Sequence, residues 1–273
     1  MSESLVFDVR NVSFSYGTIV AVRDLSLTVA QGQRIALLGA NGSGKSTLLR
    51  LLDALYFPDA GEIQYRGECI SEERFEDEEF ALRFRRQVAF VFQNPEVQLF
   101  CPTVFEEIAF GPLQMRWPKS EIRQKVADTM DLLRIGHLKD RAPHHLSGGE
   151  KKKVAIASVL VLDPQVILLD EPTAALDPRS QTQIIDLLVE WSGGAKTIIT
   201  ATHDLHTLED IADHCLIFEE GRIVASGAPS DVLQDEALLR RSNLIHSHRR
   251  RRSFTAGHVH GEPAAEDSKT REI

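Results

Sequence analysis

Apolar positions along this chain alternate between two spacings. Short continuous apolar runs, typical of strands buried on both faces of a sheet, occur at residues 35–38, 88–92, 166–169 and 197–201. Between these runs, apolar residues recur at i, i+3, i+4 and i+7, first as Leu48, Leu51, Leu52 and Leu55. This alternation predicts an α/β fold in which helices pack on a mostly parallel sheet.

Other regions add to this core. Strands are predicted at 62–66 and within 5–30, where N-terminal antiparallel strands flank a turn at 16–18, and a hairpin is predicted at 216–225. Residues 71–79 are acidic and are expected to be solvated. A helical subdomain is expected over about 93–162, with one face formed by Ile122, Val126, Met130 and Leu133. A later helix, after Asp177, has a face formed by Ile184, Leu187, Leu188 and Trp191.

Length and composition fit one compact domain over residues 1–245. The chain has 273 residues, of which 42% are apolar, and a net charge of −9. Apolar runs fall far short of the roughly eighteen residues that cross a bilayer, and no basic segment precedes an apolar one at the N-terminus, so neither spanning nor secretion is expected. Three scattered cysteines predict reduced thiols. The acidic balance predicts no broad binding of nucleic acid.

Residues 246–273 differ in character, because they are polar and have no apolar period, a composition that predicts disorder. Two H-x-H pairs lie here, and imidazole is a good ligand for nickel, cobalt or zinc; the pairs are His246 with His248 and His258 with His260. Two interpretations stay open: a tail that stores or senses metal, and a solvated basic tail. The arginine run at 249–252 could touch anionic lipid or nucleic acid.

The sequence GANGSGKST at residues 39–47 carries the strongest chemical signal. It fits the phosphate-binding pattern G-x-x-x-x-G-K-[ST], follows a predicted strand and opens a predicted helix, which an ordinary glycine-rich turn need not do. Backbone N–H groups of small residues curl around phosphates, Lys45 adds a positive charge, and Ser46 offers its hydroxyl to Mg²⁺. The pattern predicts a nucleotide site formed by Gly39, Asn41, Gly42, Ser43, Gly44, Lys45, Ser46 and Thr47.

Two adjacent carboxylates follow a buried strand in the sequence VILLDEP, residues 166–172. Side chains just beyond the carboxyl end of a parallel strand project into the ligand crevice, whereas acids in a surface turn would have no such role. Neighbouring side chains point to different sides, so the two can divide the chemistry. We expect Asp170 to order the Mg²⁺ shell and Glu171 to orient and deprotonate the attacking water.

The sequence LSGGE at residues 146–150 completes a set of short motifs through which the chain resembles ABC-type ATPases, over residues 5–227. The resemblance implies the phosphate-loop ABC ATPase fold, ATP hydrolysis and a dimer with composite sites. Ser147, Gly148 and Gly149 of one subunit would then close over the γ-phosphate held by the other, at a helix start whose N–H groups attract anions. Glu150 and Lys153 stand where glutamine and arginine are commoner, which are mild departures.

The same resemblance assigns four more positions. Tyr16, in FSYG, would stack on adenine, and stacking requires only a π face. Gln93, in VFQNP, would touch Mg²⁺ and the water, and it begins the segment that faces the transport partner. Asp177, in AALDP, lies in the loop that communicates between subunits, and His203, in TATHD, would contact the γ-phosphate.

A narrower resemblance lies in FQNPEVQLFCPTVFEEIAFGP, residues 92–112, which is similar to the ATPase subunits of energy-coupling-factor importers of vitamins, cobalt or nickel. It implies a peripheral position on the cytoplasmic face of the cell membrane. It also implies two partners, a membrane coupling protein and a substrate-binding membrane protein. Docking a partner helix requires exposed apolar anchors, and the candidates are Leu99, Phe100, Val104 and Phe105. The alternative for each of them is burial in the core of the helical subdomain.

Two classes of function compete for this chain. It is either the energising subunit of a membrane importer or a soluble ABC-type ATPase acting in DNA repair or on ribosomes. Soluble relatives usually carry a long coiled-coil insertion or two ATPase domains, and this sequence has neither, which favours the importer. The tail histidines favour nickel or cobalt over a vitamin as cargo. The choice between homodimer and heterodimer stays open.

Overall fold

The computed structural model describes residues 4–192 and 196–245 of the chain. In chain order its strands are β1 (Leu5–Tyr16), β2 (Ile19–Ala30), β3 (Arg34–Leu38), β4 (Ala60–Tyr65), β5 (Glu68–Cys69), β6 (Val88–Val91), β7 (Val166–Asp170), β8 (Thr197–Thr202), β9 (His214–Glu219) and β10 (Arg222–Gly227). They form a six-stranded sheet in the order β10-β9-β3-β8-β7-β6 and a four-stranded sheet in the order β2-β1-β4-β5.

Helices cover both sheets and build the region between β6 and β7. In chain order they are α1 (Lys45–Leu52), α2 (Glu72–Phe75), α3 (Glu78–Gln87), α4 (Val104–Gln114), α5 (Lys119–Leu132), α6 (Gly148–Leu160), α7 (Pro178–Ser192), α8 (Leu208–Ile211), α9 (Pro229–Gln234) and α10 (Glu236–Arg241). No helix in the described part of the chain combines the length and apolar character that crossing a membrane requires.

The six-stranded sheet confirms the predicted α/β class. Strands β6, β7, β8, β3 and β9 pair in parallel, and only β10, the second strand of the predicted hairpin, runs antiparallel to its neighbour β9. Leu38 pairs with Thr202, and Asp170 pairs with Ala201, so β3, β7 and β8 end at one edge of the sheet. The segments that follow these three strands therefore meet at that edge, where open α/β sheets bind ligands.

The four-stranded sheet contains the N-terminal strands, which the sequence also predicts. β1 pairs antiparallel with β2 and with β4, and the short turn between β1 and β2 follows Tyr16. Apolar side chains of this sheet pack with α1 in the same core as the inner face of the large sheet. Tyr16, at the end of β1, is thereby held near the start of α1.

The helices α4, α5 and α6 pack on one another around a second core, in the region where a helical subdomain is expected. Thr103 caps α4, since its hydroxyl accepts a hydrogen bond from the backbone N–H of Glu106. The predicted apolar face of α5 is buried in this core, and its members are Ile122, Val126, Met130 and Leu133. The α6 helix thus has one side in this core and its N-terminus at the surface.

The structure differs from the sequence patterns in two local features. Leu55 does not continue the buried stripe of α1, because that helix ends at Leu52 and the Leu55 side chain is 40% exposed. The acidic stretch 71–79 is largely exposed as expected, but it forms α2 and the start of α3. Phe75 packs its ring against Phe80 and Phe84, and the side chains of Ser71 and Asp77 cap the two helices, so an aromatic contact and two helix caps order this strongly charged segment.

Candidate active site

A cavity of about 360 Å³ lies at the carboxyl edge of the large sheet. Residues 41–47 form its floor, and Gln93 and Glu171 lie at its side. Tyr16 and the first residues of β2 form its rim. The structure therefore brings together four sequence motifs, of which the first and last contribute Tyr16 and Glu171, 155 residues apart in the chain.

The floor has a backbone conformation that depends on glycine. Gly44 has φ of +109°, and a β-carbon there would lie 2.5 Å from the carbonyl oxygen of Ala21. Gly44 is also the N-cap of α1 and has no side chain to accept a hydrogen bond from the first turn. The leading N–H groups of α1 are therefore directed at the cavity with no side-chain cap, an arrangement that suits a phosphate group.

Lys45 places a buried positive charge beneath this floor. Its side chain is 5% exposed, and its Nζ donates hydrogen bonds to the carbonyl oxygens of Gly39, at 2.7 Å, and Ala40, at 3.0 Å. Burial lowers the pKa of this amine, while the carboxylates of Glu171 and Asp170 act in the opposite direction. An anionic phosphate bound in the loop would add a third negative group near Lys45 and would stabilise its charged form.

Ser46 and Asp170 supply oxygen atoms beside Lys45. The Ser46 hydroxyl donates to Oδ1 of Asp170 at 2.8 Å, and Asp170 is buried at the end of β7. A hydroxyl and a carboxylate are hard oxygen ligands of the type that Mg²⁺ takes in phosphate-loop proteins. Gln93 lines the same cavity and adds an amide oxygen. The donor set therefore fits the predicted Mg²⁺ site.

Glu171 occupies a strained position directly after β7. Its φ is +47°, in the left-handed region that residues other than glycine seldom adopt, and its side chain is buried. The backbone N–H of Glu171 donates to the carbonyl oxygen of Ala201 in β8, at 2.9 Å, which holds this turn in place. The two carboxylates contact different partners, Ser46 and His203, but this turn separates them rather than the strand alternation expected from the sequence.

His203 is the partner of Glu171. Its Nδ1 lies 2.9 Å from Oε1 of Glu171, across a span of 32 residues. His203 does not line the phosphate-loop cavity; it lines a neighbouring cavity of about 450 Å³, together with Gln181, Leu244 and other residues. Glu171 lines both cavities and connects them. The sequence predicts a phosphate contact for His203 but does not predict this pairing.

Tyr16 lies at the rim of the phosphate-loop cavity. Its hydroxyl is 3.4 Å from Oγ1 of Thr47 and accepts a hydrogen bond from Arg50 at 3.3 Å, so its ring is fixed relative to α1. Ile19 and Val20, which sequence reasoning missed, are exposed apolar side chains on the same rim. Two apolar residues directly after the predicted turn are the sequence signal that could have found them, since an apolar surface beside an aromatic ring suits a nucleobase.

The signature residues lie elsewhere on the chain. Ser147 caps α6 in a capping box: its hydroxyl accepts from the backbone N–H of Glu150, and the Glu150 carboxylate accepts from the backbone N–H of Ser147 at 2.8 Å. The hydrogen bond from the Ser147 backbone N–H, followed by the interaction with the Ser147 hydroxyl, lowers the pKa of the Glu150 carboxyl group. None of Ser147, Gly148 and Gly149 is among the described residues that line the phosphate-loop cavity.

Asp177 lies beside the signature residues rather than beside the phosphate loop. It caps the start of α7, accepting from the backbone N–H of Ser180 at 3.1 Å and from its hydroxyl at 2.6 Å. Ser180 in turn packs against Gly149, where a β-carbon would lie 2.6 Å from the serine hydroxyl. The predicted site residues therefore fall into two groups on one chain, one around the phosphate loop and one around the start of α6.

Two of the four candidate docking anchors are partly covered and one is fully buried. Val104 is 0% exposed in the core of the helical subdomain, so its prediction as an exposed anchor is wrong, because α4 turns that position inward. Leu99 and Phe105 are half-buried against the same core. Phe100 is 66% exposed and lies edge-on against Phe110, at 4.9 Å between ring centroids. Three further apolar side chains of this region are exposed although the sequence did not single them out: Val97, Phe110 and Leu113. Together with Phe100 they are called the exposed apolar surface below.

Comparison with known proteins places these features in context. A family model described as ABC transporter matches residues 22–174. The chain is 55% identical over 243 residues to the nickel import ATP-binding protein NikO of Rhodobacter capsulatus, covering 88% of this chain and 95% of that protein. It is 39% identical over 241 residues to the energy-coupling factor transporter ATP-binding protein EcfA of Methanothermobacter thermautotrophicus. That match covers 88% of this chain and 76% of EcfA.

A solved structure agrees with the fold. The protein cbiO1 from Clostridium perfringens, described as part of the ABC transporter complex cbiONQ, matches with a TM-score of 0.75 at 36% identity. The match covers 89% of this chain and 96% of that one.

Proposed function

Because this chain belongs to the ABC transporter family, we propose that it is the ATP-hydrolysing subunit of a membrane importer for nickel or cobalt ions. The observation that carries the chemistry is the grouping of the phosphate loop and Glu171 around one cavity, with Asp170 held against the loop by the hydrogen bond from Ser46. The cargo is supported by the similarity to a protein described as a nickel import ATP-binding protein. Vitamin uptake is the second candidate, since energy-coupling-factor importers take up either class.

In the proposed hydrolysis step, Glu171 accepts a proton from the water that attacks the γ-phosphate. Its buried carboxylate is oriented by His203 through Nδ1, and the proton is retained on the carboxylate while the bond to the leaving ADP breaks. The N-terminus of α1 and Lys45 stabilise the negative charge on the phosphates. We assign adenine binding to Tyr16, with Ile19 and Val20 adding apolar contact.

We assign the Mg²⁺ position to Ser46, Asp170 and Gln93. When bound, the ion would neutralise part of the negative charge on the phosphates. The Ser46 hydroxyl and the Asp170 carboxylate, 2.8 Å apart, are the adjacent oxygen donors that would hold it. Gln93, at the start of the 92–98 segment, lines the same cavity and would contribute its amide oxygen.

We propose a dimer with two composite sites. The separation of the signature residues from the phosphate-loop cavity supports this arrangement, since Ser147 at the start of α6 has no role in its own chain's cavity. A second subunit could present its signature residues to this cavity, with Asp177 and Gly149 adjacent at the contact.

The exposed apolar surface is the proposed contact with a membrane coupling protein. Phe100 and Val97 project from the segment that follows Gln93, so a partner helix seated there would touch the same segment that reaches the nucleotide. A second membrane protein would bind the cargo. The ATPase would then lie peripherally on the cytoplasmic face of the membrane, held there by its partners.

The test of this function is uptake of radioactive nickel and cobalt by cells that produce the chain with its membrane partners. Cells with the intact chain should accumulate metal, whereas Glu171→Gln should abolish accumulation at equal protein level. Phe100→Ser should weaken co-purification of the membrane partners while ATP binding persists. Uptake of a labelled vitamin with no uptake of either metal would reject the proposed cargo and retain the importer.

A further inference from the structure

The signature helix carries a buried lysine that none of the roles above uses. Lys152, in the second turn of α6, is 1% exposed. Its Nζ donates hydrogen bonds to the backbone carbonyl oxygens of Gln93, at 2.7 Å, and Phe92, at 3.1 Å. The amine thus joins α6 to a segment about 60 residues earlier in the chain, at the residue where that segment begins.

Holding an amine in this place has a cost that the fold must offset. Burial of Lys152 disfavours its charged form, and Asp170 and Glu171 oppose that effect through their negative charge. An apolar side chain of similar length would fill the space without this cost. The two carbonyl contacts explain why a lysine stands here, since an ammonium group donates to several acceptors at once.

A second side chain strengthens the same connection from the opposite direction. Nε2 of Gln98 donates to the Ala155 carbonyl oxygen at 2.8 Å and to the Ser158 hydroxyl at 3.1 Å, both in α6. Oε1 of Gln98 accepts from the backbone N–H of Phe92. The 92–98 segment is therefore fastened to α6 at both its ends.

A third contact is exposed and serves as a comparison. Lys151, adjacent to Lys152 on α6, pairs with Glu96 at 2.6 Å; the Lys151 side chain is 16% exposed and the Glu96 side chain 63% exposed. Surface ion pairs of this kind contribute little, because water screens the charges. The chain therefore offers two neighbouring lysines, both joined to the same segment, of which only one is buried.

We propose that Lys152 is a positioning residue that fixes Gln93 to the signature helix, so that the start of α6 and Gln93 move as one body. The inference rests on the proposed role of Gln93 in the active site. Ser147 and Lys152 lie on one rigid helix. A displacement of α6 toward the nucleotide of a partner subunit would therefore also carry the backbone of Gln93. Closure at one composite site would adjust Gln93 at the other.

The first test compares Lys152→Met with Lys151→Met in the purified full-length protein. Lys152→Met should lower kcat for ATP hydrolysis by about 10- to 100-fold, the effect of misplacing an active-site group. KM for ATP should stay within about threefold, because Lys152 lies outside the nucleotide cavity. Lys151→Met should keep kcat within about twofold. Equal kcat in Lys152→Met, Lys151→Met and the unmodified protein would overturn the inference.

The second test asks whether Lys152 acts through Gln93. In a double-mutant cycle, Lys152→Met combined with Gln93→Ala should be no slower than Gln93→Ala alone. If the double variant instead loses activity by the product of the two single-variant factors, Lys152 acts independently of Gln93, and the inference is overturned. Full activity of Gln93→Ala would instead refute the proposed role of Gln93, so the two failures are distinguishable.

Amide hydrogen exchange supplies a readout that does not depend on activity. Exchange in residues 92–98 should be faster in Lys152→Met than in Lys151→Met, while exchange in β7 and β8 should be unchanged. Lys152→Gln keeps a hydrogen-bond donor for one of the two carbonyl oxygens, so it should recover part of the kcat lost in Lys152→Met. If Lys152→Met does not fold, Lys152→Gln replaces it in the kinetic and exchange comparisons with Lys151→Met. Faster exchange throughout the protein with no recovery in Lys152→Gln would show a general structural role and overturn the inference.

Discussion

The replacement Glu171→Gln tests the chemistry most directly, because the structure separates the loss of a proton acceptor from the loss of a contact. Glutamine has the same length, and its amide oxygen can still accept from Nδ1 of His203 at the observed 2.9 Å. The buried turn after β7 therefore retains its packing and its hydrogen bond. Only the ability to take a proton from water is lost.

The expected magnitude follows from that single loss. Removing a positioned general base slows a reaction by about 10²- to 10⁴-fold, which corresponds to about 3 to 5 kcal/mol in the activation free energy. Binding of ATP should change by no more than a few-fold, because Lys45 and the α1 N-terminus are unaltered. The ATP-bound dimer should therefore accumulate.

The assay is phosphate release at saturating Mg·ATP, with nucleotide binding and size-exclusion chromatography on the same samples. Glu209→Gln is the matched control, since it makes the same chemical change at an exposed position of α8 and should leave the rate within about twofold. Turnover of Glu171→Gln within a few-fold of the unmodified protein would refute the assignment. A general loss of ATP binding would show that the carboxylate organises the phosphate loop instead.

Three further predictions concern the dimer, the phosphate loop and the tail. A mixed dimer with Lys45→Ala in one subunit and Ser147→Arg in the other should keep one site, whereas both changes in one subunit should leave none; equal residual ATPase activity would contradict pairing across subunits. Gly44→Ala should weaken ATP binding at least about tenfold and cost about 1–3 kcal/mol in stability, whereas Gly67→Ala, with similar φ but open space around it, should leave ATP binding unchanged in a fluorescence titration. A chain ending at Leu244 should keep ATP hydrolysis and partner assembly but bind less Ni²⁺ in calorimetry; equal binding would remove the tail histidines as support for a metal cargo.

Much of the fold could be predicted because its signals are local. The runs at 35–38, 166–169 and 197–201 are strands of the large sheet, since strands buried on both faces must be continuously apolar. The resemblance to energy-coupling-factor ATPases is confirmed by the relatives found. The predicted disorder of the tail and the two interpretations of its histidine pairs, metal binding and a solvated basic tail, concern residues 246–273, which lie outside the described residues, and stay predictions.

Local patterns failed where a side chain's environment depends on where its helix ends or turns. Leu55 satisfies the helical spacing, yet it is exposed because α1 stops at Leu52. Val104 lies in an apolar segment next to exposed Phe100, yet α4 directs it into the core. The spacing of apolar residues in the sequence predicts which residues share a face of a helix. Only the packing of that helix against the rest of the protein decides which face is buried.

The sequence by itself determined the chemistry of this protein, because a phosphate loop, an acidic strand end and a signature motif each require particular residues at short spacing. Only the tertiary structure decided how those residues are connected. The contacts of Glu171 with His203 and of Lys152 with Gln93 join residues 32 and 59 positions apart. Such pairs form because parallel strands end at one edge and α6 packs against the 92–98 segment, and no local pattern of residue types encodes which distant partners will meet.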